Sequence, residues 1–174
     1  MLAMKIADVL LLDFDKEIEN TRRTLQRLPD TLDAEWTPHA KSMKVGKLAM
    51  HCATIPMFGH YILEDDGMDM ANSTRPHMDL VWKGLEHALK SQEEAAGRCR
   101  ASIAAASDDR LEVLWKFSFG AQVIAEAPRA AMFRMLCFDH MIHHTSQLGV
   151  YLRLLDLPVP ALYGPSADEQ WSPQ

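Results

Sequence analysis

The chain has 174 residues, of which 48% are hydrophobic and 24% charged, and it carries a formal net charge of −6. That length suits one domain whose core needs no disulfide staples, and the composition excludes intrinsic disorder. The charges are interspersed without a basic patch, which excludes a nucleic-acid-binding surface, and no apolar run approaches the roughly 18 residues of a membrane span.

The N-terminal stretch MLAMKIADVLLLDFDKEIEN turns acidic at once and lacks a cleavage-site pattern, so it reads as a first helix and not a signal peptide; Met4 offers a second start. Ile6, Val9, Leu10, Phe14, Ile18 and Leu25 form a helical stripe over about Ile6 to Leu28, stopped by Pro29. PDTLDAEWTPHAKS is a loop by its Pro, Asp and Thr content. Ser42 is a candidate N-cap for a second helix to about Leu63, whose apolar face runs through Val45, Leu48, Cys52, Ile55, Phe58 and Ile62. Pro56 inside it removes one backbone donor and predicts a kink near Cys52.

EDDGMDMANSTRPH is a polar loop, and a third helix is expected from about Met78 to Ala106, with SDD at Ser107 to Asp109 ending it or starting a turn. In LEVLWKFSFGAQVIAEAP, Val113, Trp115, Phe117 and Phe119 alternate with Leu114, Lys116 and Ser118 about Gly120. This period of two reads as a β-hairpin, with an amphipathic helix as the competing reading. Pro128 suits the first turn of a fourth helix to about Asp156, terminated by Pro158 and Pro160. The expected fold class is all-α: a four-helix bundle with a small hairpin before the last long helix, in one domain spanning 1–174.

Cys52, Cys99 and Cys137 are far apart and odd in number, so reduced thiols in a cytoplasmic setting are the simplest reading. Eight histidines are present, and three fall within DHMIHHTSQL. At a spacing of four, His140 and His144 share one helix face, so two imidazoles can reach one metal ion. The glutamate of the helical HExxH motif is absent, which argues against a metalloprotease. His51, mid-helix among apolar residues, is the best-placed third donor, although such a histidine taken alone is more often a packed core residue. His60, nine residues on, should face the other way and be exposed.

His143 and Gln147 are candidates to orient a ligand from behind, and Tyr151 lies on the same face one turn on. Cys137 lies about 60° from His140 on a helical wheel, where it either closes the site or packs as a small hydrophobe. Cys52 reads as core and Asp139 as a surface residue. Trp82, Trp115 and Trp171 read as core or interface.

Three stretches, WTPHAKSMKVGKLAMHCATIP, WKFSFGAQVIAEAPRAAM and HMIHHTSQLGVYLRLLDLPVPALYGPSADE, resemble the DinB-like family of small metal-binding helical bundles, which includes damage-inducible and YfiT-like proteins. The last stretch is the most specific. The resemblance covers nearly the whole chain and implies a four-helix bundle, a homodimer, and a histidine triad that falls on His51, His140 and His144. The chain departs from the pattern at Thr145-Ser146, where relatives often carry Arg-Gly, so no anion-binding role of that arginine transfers. Some relatives are thiol-dependent S-transferases using low-molecular-weight thiols and others resemble metal-dependent hydrolases. The implied cofactor is a divalent metal ion, with zinc or nickel as the working choice. The implied partner is a small thiol or other small molecule, and a non-enzymatic metal-binding or sensing protein is the alternative.

Overall fold

A computed structural model describes residues 4–170; Trp171 lies outside them. The elements in order are α1 (Ile6–Leu25), α2 (Val45–Glu64), β1 (Gly67–Asp69), α3 (Leu85–Ala105), α4 (Asp108–Glu112), β2 (Leu114–Phe119), β3 (Gln122–Pro128), α5 (Arg129–Phe133), a π-helical turn (Arg134–Asp139) and α6 (His140–Leu154). The protein is mostly helical but not all-α, because a three-stranded sheet in the order β1-β2-β3 sits at one end.

The hairpin falls where the alternation predicts it. β2 and β3 pair antiparallel from Leu114↔Pro128 to Phe119↔Gln122, with a register shift between Phe117 and Ser118. Gly120 takes a φ of +58°, the left-handed value glycine supplies at the first position of a two-residue turn. Asp69 at the end of β1 accepts from the Gly120 N–H at 2.7 Å and ties the turn to the sheet. Only three residues long and parallel to β2, β1 is too short to show a period, and the sequence pattern misses it.

Three further expectations need correction. The second helix starts at Val45, with Lys44 in the N-cap position; Ser42 belongs to the preceding loop, its N–H bonded to the His39 carbonyl. The third helix starts at Leu85, not Met78. Gly84 at φ +106° cannot continue a helix, and residues 78–84 form an extended strap in which the Asp79 carboxylate accepts from the Val81 N–H. The last helical stretch is interrupted by the π-helical turn just before His140. Ser107 caps the short α4, its hydroxyl accepting from the Arg110 N–H, and α2 runs on through Pro56.

Two cores fill the molecule. One lies under the hairpin and includes Phe14, Ile62, Ile103, Trp115, Phe133 and Phe138. The other joins Leu25, Leu28, Val45, Leu48, Leu148 and Leu152, with Trp82 packed against its edge. Gly59 of α2 is where a side chain would not fit: an added Cβ would stand 2.7 Å from the Cys137 sulfur and 2.9 Å from that of Cys99. These two thiols, both fully buried, therefore pack together over a bare stretch of helix.

Fully buried Arg129 holds the sheet end together. Its Nη1 donates to the carbonyls of Ile62 and Asp65, groups that the end of α2 leaves without helical partners. Its Nη2 lies 3.5 Å from the Asp66 carboxylate, and burial pulls the guanidinium below the usual arginine range. An Arg129→Met variant removes these donors while keeping most of the volume. It is expected to lose about 2–4 kcal/mol of stability, read as a lower urea midpoint at an unchanged slope.

Candidate metal centre

α2 and α6 pack side by side, and the seam between the two cores falls at their middles. His51 stands there on α2 between Met50 and Cys52, both fully buried. From α6, the i, i+4 pair His140 and His144 meets it. The Nε2 atoms of His51 and His140 are 3.0 Å apart. Ring centroids are separated by 4.9 Å (His51–His140), 4.5 Å (His51–His144) and 4.7 Å (His140–His144), so the three rings form a nearly equilateral triangle. One nitrogen from each ring lies within 4.8 Å of the others, and no cysteine or carboxylate joins this group among the described residues. Nitrogens bonded at about 2.0–2.1 Å to a tetrahedral ion stand roughly 3.3 Å from one another, so the spacing fits a three-imidazole metal site.

The electrostatics point the same way. Burial, then the neighbouring His140, His144 and Lys47, lower the His51 pKa to about 4. Burial also lowers His140, with His144 adding to the effect and a hydrogen bond to the Leu136 backbone opposing it. Burial lowers His144 against the opposing bond to Gln147. Three rings this close cannot all hold protons, so near neutral pH they present lone pairs, the form that binds a cation.

Gln147 stands where the helical wheel puts it. The His144 Nδ1–H donates to its Oε1 at 2.7 Å, which leaves Nε2 free to face the cluster. His143 is exposed and meets the His144 ring edge-on at a centroid distance of 4.8 Å, with no hydrogen bond to it among the described residues. Tyr151 serves the fold: its hydroxyl donates to the Met43 carbonyl and its ring meets Trp36 edge-on. Asp139 is a surface residue 3.9 Å from Arg134.

Cys137 does not close the site. Its sulfur lies over Gly59 beside Cys99, because the π-helical turn takes up an extra residue and spoils angles counted at 3.6 residues per turn across it. Cys52 is core, and burial pushes its thiol up to about 12. His60 is not the exposed residue expected; its Nδ1 bonds the Ser102 hydroxyl at 2.7 Å across α2 and α3. Sequence reasoning missed the π-helical turn before His140, which leaves no side-chain signal.

The lowered pKa values have a stability consequence. As pH falls through 6.5, the unfolded chain protonates His51 while the folded chain resists until about 4. The histidine contribution is thus fully present above 6.5 and is lost on acidification towards 4. Metal-free protein should therefore show a falling Tm between about pH 7 and about pH 5. A His51→Gln variant should show a flatter slope over the same interval; equal slopes would mean that the ring is not held neutral by its surroundings.

The DinB family model matches residues 4–173. The crystal structure of a DinB-like protein from Bacillus cereus ATCC 10987 superposes with a TM-score of 0.65 at 18% identity, covering 88% of this chain and 95% of that one, a likeness of fold. No curated protein matches the chain in sequence. With the family model spanning almost its whole length, the chain belongs to the DinB family.

Proposed function

We propose that this protein is a metal-dependent enzyme acting on a small thiol or a hydrolysable small molecule, with a divalent zinc or nickel ion held by His51, His140 and His144. α1, α2, α3 and the α5–α6 segment are read here as the four members of a bundle, and the working unit as a homodimer on family resemblance. The observation that carries the proposal is the convergence of three neutral imidazoles with no fourth metal-binding side chain grouped with them among the described residues. Three protein ligands and an open position are the arrangement of catalytic sites, whereas structural sites are closed.

An ion so held supplies Lewis-acid chemistry, lowering the pKa of a bound water to about 7 or stabilising a thiolate. The chain's own groups do the rest. Gln147 fixes the tautomer and direction of His144. Burial keeps the rings unprotonated so that they remain ligands. The alternative, a purely structural or sensing ion, called for a closing ligand such as Cys137, and that thiol is packed against Cys99.

Protein purified without a nickel column should carry about one equivalent of divalent metal, and His144→Ala should carry far less. Equal metal in the two would remove the triad. The loaded protein should then accelerate reaction of one member of a thiol panel with a simple electrophile, or cleavage of an ester. Full occupancy with no rate above background would favour the structural-ion reading. Separately, Gln147→Leu keeps all three ligands but leaves His144 Nδ1 without its acceptor, so metal affinity should drop by about 10- to 100-fold in a chelator competition titration.

A further inference from the structure

The sheet ends in an edge that the fold leaves uncovered. The strand order β1-β2-β3 puts β3 on the outside, and residues 122–127 make no backbone–backbone hydrogen bond beyond the hairpin among the described residues. Along its outer side the strand therefore offers unpaired N–H and C=O groups, on which another strand can dock. Protection of this edge is slight. β3 carries no lysine, and its one proline is the last residue. The register shift confines any bending of the edge to the far end, near Ile124, and leaves Ala125–Pro128 in regular pairing with β2.

The same hairpin gathers apolar surface. Five of the fourteen exposed large hydrophobic side chains among the described residues fall within residues 113–124: Val113, Leu114, Phe119, Val123 and Ile124, each between 48% and 61% exposed. Val123 and Ile124 belong to the edge strand itself, and Phe119 lies opposite Gln122 beside it. A concentration of this kind marks a contact surface, whereas single exposed apolar residues are ordinary.

Charge indicates what covers it. The protein carries a formal net charge of −6, so most pairs of its surfaces repel each other. The hairpin is the exception: its only charged residues, Lys116 and Glu126, stand opposite each other on β2 and β3 and cancel. A second copy can therefore approach here without like-charge repulsion. A lipid surface fits less well, because the Asp69 carboxylate is bonded to the Gly120 N–H at the tip, where anionic headgroups would lie. We infer that β3 pairs antiparallel with β3 of a second copy about a two-fold axis, joining the two sheets into one and covering Val123 and Ile124. The surface is argued without the metal centre, and it gives the homodimer of the proposed working unit a place to form.

The backbone ladder with these side chains buries about 1,000 Å² in total, the low end for a specific interface, so a Kd in the micromolar range is expected. The test is sedimentation of the full chain over a range of concentrations, combined with amide hydrogen exchange. Wild type should dimerise, and the amides of residues 122–127 should exchange more slowly as concentration rises, while those of α1 do not change. Ile124→Lys should weaken the dimer by about ten- to hundredfold. Leu12→Lys, at a 68% exposed position on α1, should leave it unchanged. A wild type that stays monomeric, whether or not it binds phosphatidylcholine vesicles, overturns the inference. So does a dimer equally stable in both variants or protected elsewhere than β3, a result that leaves a homodimer standing on another surface. Metal content should be the same in wild type and Ile124→Lys, so either failure is distinct from loss of the metal centre.

Discussion

The contact of α2 with the first turns of α6 is the constraint from which the site follows. It sets the imidazole of His51 3.0 Å from that of His140 and gives His51 fully buried neighbours on either side in the chain. A charged ring there would lose hydration without gaining a counter-charge, so the ring stays neutral and keeps a lone pair. Placing all three donors on helices, not loops, fixes their separations through packing, the condition for a site that binds without first having to be organised.

The π-helical turn before His140 decides which side chains share that setting. In a regular helix Cys137 would sit near the metal-facing edge. With an extra residue in the turn it swings towards Cys99 and Gly59. One local irregularity thus removes a candidate fourth ligand. π-Helical turns are rare within α-helices and frequently fall at functional sites, which accords with where this one falls.

How much of this was legible in the sequence depended on the distance over which each feature is encoded. The His140–His144 pair lies within one regular helix, where periodicity holds, and its shared face was readable; Gln147 was readable only as a candidate beside His143, and its bond to His144 Nδ1 was not. The hairpin was readable because Trp115 and Phe117 alternate with the exposed Leu114 and Lys116 ahead of a two-residue turn, although the register shift between Phe117 and Ser118 breaks the alternation beyond them. His51 was readable as a candidate only, since nothing local tells a ligand from a core histidine; the packing of α2 on α6 is what brings its ring to those of His140 and His144. The start of α3 was misread because Leu80 and Val81 mimic a helical face, while the deciding fact is the backbone angle of Gly84. His60 was misread because its partner Ser102 is 42 residues away.

The C-terminal tail carries no ligand, yet it belongs to the same resembling stretch as His140 and His144 and is tied to the helix that bears them. Glu169 accepts from Arg23, Arg27 and the Ala161 N–H, and Asp168 accepts from Arg153 and the Val159 N–H. The Ser166 hydroxyl donates to the Val159 carbonyl and accepts from the N–H groups of Asp168 and Glu169. Arg23 belongs to α1, Arg27 lies two residues past its end, and Arg153 is in the last turn of α6, so this folded tail clamps α6 against α1. Beneath the clamp, the buried Thr21 and Thr145 hydroxyls meet at 2.9 Å, immediately beside His144 in the chain. Turning α6 about its own axis would break this bond and move His140 and His144 away from His51. The tail therefore contributes to the site through the rotation of a helix: its carboxylates hold the face that carries the rings.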